Sequence, residues 1–180
     1  MGVETLRRFF ELKLHKSNGS EFQRLVETIM TYRHQAEFRQ VKPNGRLGDG
    51  GNDGWIPNEN IYMQIFAPDD LSKSAYVASK KLKMDFMKIL ESWSPSHPMK
   101  EYWFIVNDKY NGLSPQVQKA IQELESESNV KTKVIRAKLL EFYFQKLDLQ
   151  TRKDIVEFPS SDIAKYQRLL NSLCWNLSTL

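Results

Sequence analysis

The most constraining feature of the sequence is the apolar run at residues 102–106, which is followed by a polar loop and a helical pattern that begins near Pro115. An almost wholly apolar run of this length is typical of a central strand that is covered on both faces. Proline is favoured in the first turn of a helix, where its missing N–H costs nothing. The order of strand, loop and helix therefore predicts an α/β layer fold.

Other segments supply the remaining layers of such a fold. Ser20 is predicted to cap a helix whose apolar residues follow helical spacing, with a shorter helix before it and a lysine-rich helix at about 71–93. Strands are predicted by apolar, alternating or turn-bounded patterns at residues 37–42, 53–56, 61–66 and 130–136. We therefore expect a mixed central β-sheet of about five strands, flanked by α-helices.

Composition bounds the size of the domain and indicates the compartment in which it is expected. The chain has 180 residues, of which 41% are hydrophobic, and this is enough for one sizeable core. We expect a single domain over residues 1–180, with a core at about 17–140 and C-terminal helices at about 138–180. The only cysteine, Cys174, excludes an internal disulfide, and no apolar run reaches the roughly 20 residues of a membrane span. A cytoplasmic protein without a membrane partner is the expectation.

The net charge of +4 is unevenly distributed along the chain. Residues 1–46 hold nine Lys and Arg against five Asp and Glu, whereas residues 47–70 hold none against five. Residues 71–100 again favour the cations, by six to two. An acidic segment between basic flanks is typical of a site that draws in phosphates and holds a divalent cation on carboxylates. Three basic residues before the acidic segment are predicted to contact phosphates: Arg39, Lys42 and Arg46.

The acidic segment leads into a predicted hairpin of the strands at 53–56 and 61–66. If the hairpin turns at Asn58-Glu59, Asp53 lies directly across from Gln64, where side chains stand about 4.5 to 5.5 Å apart. Two oxygen-bearing side chains at that spacing could flank one ion. Mg²⁺ needs only one or two protein carboxylates, so Asp53 fits, and Glu21 on the preceding helix is the nearest candidate to complete the site. The glycines of the segment would let the backbone approach a phosphodiester.

Three ordered motifs carry a resemblance to a known family: Gly19-Ser20-Glu21-Phe22-Gln23, Gly48-Asp49-Gly50-Gly51-Asn52-Asp53-Gly54 and Tyr62-Met63-Gln64-Ile65-Phe66. They resemble the PD-(D/E)xK, or restriction-endonuclease-like, superfamily and in particular its Mrr-like nucleases. The resemblance implies that Asp53 binds metal, that Gln64 occupies the second half-motif, and that the Ile65 carbonyl is a further metal ligand. It also implies a restriction-endonuclease-like fold.

The sequence departs from that family at two positions. Phe66 stands where the family has its lysine, and Gln23 stands where many relatives have a glutamate. A looser resemblance over residues 80–113, to domains of bacterial phage-defence proteins, implies that a lysine of the following helix replaces the missing one. Lys81 matches that pattern, while Lys80 and Lys83 remain alternatives.

These observations predict a Mg²⁺-dependent endodeoxyribonuclease that hydrolyses phosphodiester bonds in bacterial antiviral defence, with Mn²⁺ as an alternative ion. The predicted catalytic residues are Asp53, Gln64 and Lys81, and the predicted metal ligands are Glu21, Asp53 and Ile65. DNA is the expected partner, and the resemblance adds a homodimer or a larger defence complex. Because Phe66 replaces the lysine, two other functions stay open: a nuclease-fold module that only binds DNA, and one that mediates assembly.

Overall fold

The computed structural model describes residues 3–42, 50–69 and 75–157. Within these ranges the chain forms six α-helices and five β-strands. The helices are α1 (Val3–Lys16), α2 (Gly19–His34), α3 (Ala75–Ser92), α4 (Pro115–Ser128), α5 (Ala137–Gln145) and α6 (Leu149–Ile155). The strands are β1 (Arg39–Gln40), β2 (Gly54–Ile56), β3 (Ile61–Phe66), β4 (Glu101–Val106) and β5 (Lys131–Ile135).

The strands form one mixed sheet in the order β1-β2-β3-β4-β5. The pairs β1/β2 and β2/β3 are antiparallel, whereas β3/β4 and β4/β5 are parallel. Parallel neighbours require a crossover connection, which α3 and α4 supply. The predicted α/β fold with a five-stranded mixed sheet and flanking helices is confirmed.

Two apolar cores lie on the two faces of the sheet. One core joins α1, α2 and α5 to one face, through Ile61, Met63 and Ile65 of β3. The other joins α3 and α4 to the opposite face, where Tyr62 and Phe104 pack. Because both faces are covered, β4 is buried from Tyr102 onward, as its apolar sequence predicts.

The hairpin forms in the predicted register. Gly54 pairs with Met63, Trp55 with Tyr62, and Ile56 with Ile61. The connection is a short 3-10 turn, Pro57–Glu59, closed by Asn60 in the left-handed conformation with a φ of 55°. Strand alternation therefore directs the residues of β2 and β3 to the two cores as the sequence predicts.

Two local predictions are wrong. The strand expected at 37–42 is reduced to Arg39–Gln40, because Gln35–Glu37 form a 3-10 turn and Phe38 turns into the core against Gly54. Ser20 is not the cap of α2, since the helix begins one residue earlier and Asn18 precedes it. The backbone N–H groups of Glu21 and Phe22 donate to the Asn18 carbonyl, so the first turn is already closed there.

Some predictions fall on residues that the structure does not describe. These are the start of the lysine-rich helix at 71–74, the part of the glycine segment at 48–49, Arg46, and the C-terminal residues 158–180 with Cys174. Among the described residues, no helix has the length and apolarity that crossing a membrane requires.

The glycine segment packs its backbone against α3. A Cβ added to Gly51 would lie 2.6 Å from the carbonyl oxygen of Asp85, and one on Gly50 would lie 2.7 Å from Nε1 of Trp93. Both glycines also have positive φ, at +82° and +66°. Gly50 and Gly51 are therefore needed for the close approach of this segment to α3 and to Trp93.

Gly51→Ala should lower the free energy of unfolding by about 3 kcal/mol or more, because it adds a steric clash with α3 to the strain of a positive φ. Gly19→Ala is the matched control, since Gly19 has a φ of +46° but nothing lies within 4 Å of its added Cβ. The control should lose only about 1 kcal/mol. Urea denaturation measures both; equal losses would show that packing against α3 is unimportant.

Candidate active site

Asp53 lies just before β2, at the end of the sheet where β3 finishes. Its backbone N–H donates to the Met63 carbonyl at 2.8 Å, and its Oδ2 accepts the Ile65 N–H at 2.7 Å. The second bond holds the Asp53 carboxylate beside β3. The first shows that the regular register ends at Gly54, because Met63 pairs with Gly54 and its carbonyl also accepts the Asp53 N–H. Asp53 therefore does not extend the register to the predicted pair with Gln64. Because a strand residue directs its N–H and C=O to the same side, the Ile65 carbonyl faces the same side as its N–H, toward Asp53.

Gln64 is completely buried on the α3 face of β3, with both ends of its amide engaged. Its Oε1 accepts the hydroxyl of Tyr102 at 2.5 Å, and its Nε2 donates to Oδ2 of Asp85. Tyr102 is on β4 at the register position opposite Tyr62. The two contacts fix the orientation of the amide, as a buried polar group requires.

Asp85 connects α3 to this group, and only 4% of its surface is exposed. Its Oδ2 is 2.5 Å from Nζ of Lys81, and its Oδ1 is 3.0 Å from Nζ of Lys88. A buried carboxylate is costly unless it is paired and hydrogen-bonded, and here two ammonium groups and the Gln64 amide supply that compensation. We call Asp53, Gln64, Lys81, Asp85 and Tyr102 the Asp85 cluster.

The charges of the cluster also act on Tyr102. Burial raises the pKa of the Tyr102 hydroxyl well above its usual value, and the negative charges of Asp85 and Asp53 raise it further. The two carboxylates are thus close enough to the same hydroxyl to bias its ionisation. Tyr102 remains a neutral hydrogen-bond donor to Gln64.

The structure separates the three candidate lysines of α3. Lys81 belongs to the Asp85 cluster, while Nζ of Lys83 is 2.5 Å from Oε2 of Glu123 on α4. The Lys83 contact raises the pKa of that lysine and ties it to the helix layer. Lys80 is exposed. Of the three, Lys81 is the one that the structure brings to Gln64, through their shared partner Asp85.

The Phe66 side chain packs against another aromatic ring at this position. Its ring stacks on Phe104 with a centroid separation of 6.4 Å, and it packs at the edge of the α3 core. The end of β3 therefore presents an aromatic ring where the resemblance expects an ammonium. Lys81 approaches the same region from the helix instead.

Glu21 lies away from the Asp85 cluster. It is exposed on α2 and lines a cavity formed by α1, α2 and the residues around the end of α6. The helix α2 covers the opposite face of the sheet from α3. The structure does not bring Glu21 together with Gln64 and Lys81, although the prediction made it a metal ligand with Asp53.

A different carboxylate of α2 is buried beside the hairpin. Glu27 accepts a hydrogen bond from Gln23 Nε2 at 2.9 Å and one from Gln40 Nε2 at 2.6 Å. Gln40 pairs with Gly54, the neighbour of Asp53. Gln23, which stands where the resemblance expects a glutamate, thus contacts a glutamate one helical turn further on.

Two of the three residues predicted to contact phosphates lie among the described residues. Arg39 is exposed on the edge strand and its guanidinium lies 5.7 Å from the centre of the Trp55 ring. Arg39 pairs with Trp55, which is on the Asp53 face of the hairpin. Lys42 is also exposed, whereas Arg46 lies outside the described residues. Arg39 therefore offers a cation on the surface beside Asp53.

The donor atoms at this edge fit a hard cation better than zinc. They are the Asp53 carboxylate, the Gln64 amide oxygen and the Ile65 carbonyl, and Mg²⁺ prefers such oxygen ligands. Over 3–42, 50–69 and 75–157, no group of three or more His, Cys, Asp and Glu side chains is arranged to hold a metal ion. An ion at this site would therefore depend on amide and carbonyl oxygens and on water, which Mg²⁺ usually retains.

Sequence reasoning missed two members of the cluster, Asp85 and Tyr102. Asp85 had a detectable signal, since it falls on the apolar stripe of α3 with Leu82, Phe86 and Ile89. A carboxylate on the buried face of a helix requires a partner. Tyr102 gave no such signal, because a tyrosine in a buried strand is ordinary.

Comparison of the chain with protein-family models, with curated proteins and with solved structures gives no match.

The raised pKa of Tyr102 predicts a loss of stability at high pH. Above about pH 10 the unfolded chain releases the Tyr102 proton while the folded chain keeps it, so stability falls by up to about 1.4 kcal/mol per pH unit for this group. Tyr102→Phe should make the decline less steep between pH 10 and 11.5. Urea titrations at each pH measure it, with the exposed Tyr76→Phe as control; identical slopes for wild type and Tyr102→Phe would contradict the assignment.

Proposed function

We propose that the chain is a Mg²⁺-dependent DNA endonuclease with a restriction-endonuclease-like fold. The observation that carries the proposal is the contact chain from Gln64 through Asp85 to Lys81, next to Asp53. Through these contacts Lys81 of α3 is linked to Gln64, the residue that matches the second half-motif. Phe66 stands where that motif would have its own lysine. A hairpin followed by parallel β3 and β4, with α3 between them, also supports the fold.

Asp53 would hold the ion together with the Gln64 amide oxygen and the Ile65 carbonyl. A bound Mg²⁺ would supply charge stabilisation and a more acidic water at the scissile phosphate. Gln64 can bind an ion while it keeps its hydrogen bond from Tyr102, because an amide oxygen has two lone pairs. The contacts of the cluster pre-orient this oxygen.

Lys81 would act on the phosphate. Its ammonium can donate to a non-bridging phosphate oxygen and offset the negative charge that grows as the attacking water forms its bond to phosphorus and the leaving oxygen departs. Asp85 is a positioning residue in this scheme, since it holds Lys81 and the Gln64 amide and need not touch the DNA. Arg39 and Lys42 would contact neighbouring phosphates, which position the backbone without reading its sequence.

A second function is favoured by one specific observation. Phe66 is packed against Phe104, and Lys81 is already ion-paired with a buried carboxylate. A nuclease-fold module that has lost cleavage would show these same features. It would bind DNA through Arg39 and its neighbours, or assemble with other proteins of a defence complex, in a bacterial cytoplasm.

Asp53→Ala should abolish cleavage of plasmid and linear DNA in Mg²⁺ or Mn²⁺, with a loss of at least about 100-fold in rate, because the carboxylate that anchors the ion is removed. Gel assays of the purified protein measure it. Cleavage that survives the substitution would contradict the site. If wild type does not cleave either, a salt-dependent mobility shift of DNA would support the binding module.

Lys81→Ala and Lys83→Ala form a matched pair on the same helix. Lys81→Ala should lower the single-turnover cleavage rate by about 100-fold, within the range for a group that stabilises transition-state charge. Lys83→Ala removes only the contact with Glu123 and should change the rate less than twofold. Equal rates for the two variants would refute the role of Lys81.

A further inference from the structure

Lys88 contacts Asp85 but has no role in the nuclease scheme given above. Its Nζ is 3.0 Å from Oδ1 of Asp85, whereas Nζ of Lys81 is 2.5 Å from Oδ2. The two ammonium groups therefore bind the two oxygens of one carboxyl group. They are separated by no more than the width of that carboxyl group and one charge-assisted hydrogen bond on each side of it.

The two lysine side chains reach the surface, whereas the carboxylate between them does not. The Lys81 side chain is 43% exposed and the Lys88 side chain is 51% exposed, against 5% for Asp85. An ammonium carries three N–H donors, so contact with one carboxylate oxygen does not saturate it. The pair therefore presents two neighbouring cations at the surface, above a carboxylate that holds them in place.

The charges of these three side chains do not cancel. Lys81, Asp85 and Lys88 sum to +1, because one carboxylate stands between two ammonium groups. Burial of a carboxylate requires compensation, and Lys81 already supplies an opposite charge while the Gln64 amide supplies a hydrogen bond. The second ammonium exceeds what one carboxylate neutralises. An excess of positive charge at a surface attracts an anionic ligand.

Lys88 also lies beside the glycine segment that leads to Asp53. Positions 81, 85, 88 and 92 recur at spacings of four, three and four, so they share one face of α3. A Cβ on Gly51 would meet the Asp85 backbone, and one on Gly50 would lie 3.4 Å from Cβ of Ser92. The glycine segment therefore runs along the face of α3 that carries Lys88, next to the candidate active site.

We propose that Lys81 and Lys88 form a two-phosphate site, in which Lys88 binds the phosphate next to the one that Lys81 contacts on the same DNA strand. The inference rests on the proposed function, which supplies DNA as the ligand. One strand of B-DNA carries a phosphate for about every 3.4 Å of helix axis, so two cations held on one carboxyl group match neighbouring phosphates rather than distant ones. Asp85 is the positioning residue, because its two oxygens set the separation of the cations.

The salt dependence of DNA binding reports how many phosphates the protein neutralises, since each contributes about 0.9 to the slope of log affinity against log salt for duplex DNA. Fluorescence anisotropy of a labelled duplex, with Ca²⁺ in place of Mg²⁺ so that binding is measured without cleavage, gives this slope for the full-length chain. Lys88→Gln should reduce the slope by about one, and Lys88→Arg should restore it. Lys83→Gln, on the same helix but bound to Glu123, is the matched control and should keep the wild-type slope. An unchanged slope in Lys88→Gln, or an equal reduction in Lys83→Gln, would overturn the two-phosphate site.

A double substitution tests whether the two lysines bind two phosphates or one. Asp85→Asn is the background for it, because removal of both lysines would otherwise leave a buried charge without a cation. In that background Lys81→Gln and Lys88→Gln should each reduce the slope by about one, and both together by about two. A reduction of only about one in the double variant would show that both lysines contact the same phosphate and would refute the proposal. A loss of stability in urea without a change of slope would give Lys88 a structural role alone.

The outcome for Lys88 can be separated from the outcome for the nuclease. If the wild type does not cleave DNA but Lys88→Gln lowers the slope, the nuclease proposal fails and the two-phosphate site stands. If cleavage depends on Asp53 while Lys88→Gln keeps the wild-type slope, the nuclease proposal stands and the two-phosphate site fails. Absence of salt-dependent DNA binding by the wild type would overturn the two-phosphate site directly.

Discussion

The arrangement of this molecule depends on a buried carboxylate that has to be compensated. Asp85 lies on the apolar face of α3, and burying its charge against the sheet is tolerable only because Lys81, Lys88 and the Gln64 amide surround it. The same contacts tie α3 to the centre of the sheet, through Gln64 and Tyr102. The glycine segment adds a third element, since Gly51 fits against the Asp85 backbone only without a side chain. Helix α3, strands β3 and β4, and the glycine segment thus meet at the Asp85 carboxylate.

The need to compensate Asp85 explains why the candidate site and the close packing of α3 lie at the same end of the sheet. Asp53 follows the glycine segment, so whatever holds Gly51 against α3 also sets where the Asp53 carboxylate can stand. Its bond from the Ile65 N–H then fixes it beside β3. Polar groups held by several elements at once have little freedom to reorganise, which favours a pre-oriented site. The opposite face of the sheet carries the core formed with α1, α2 and α5, and Glu27 is buried there between two amide partners.

Much of the fold and part of the site could be predicted. The β2/β3 register followed from the turn placed at Asn58-Glu59, and a shift by one residue would have turned Ile61 and Met63 away from their core. That register placed Asp53 next to β3. The role of the glycines and the choice among the lysines could not be predicted, since both depend on where α3 lies. Lys80 and Lys83 stayed alternatives to Lys81 in the sequence, but the Lys83 ammonium extends to Glu123 on the neighbouring helix.

The sequence by itself determined the local elements, the two faces of the hairpin and the position of Asp53 beside β3, because these follow from strand alternation and short-range turns. Tertiary structure decided which distant side chains joined them. Asp85, Lys81 and Tyr102 come from a helix and a strand whose positions are set by the crossover connections and by packing on the sheet, and Glu21 was carried to the other face for the same reason. Strand periodicity fixes the direction of a side chain, whereas only the packing of layers fixes its partner.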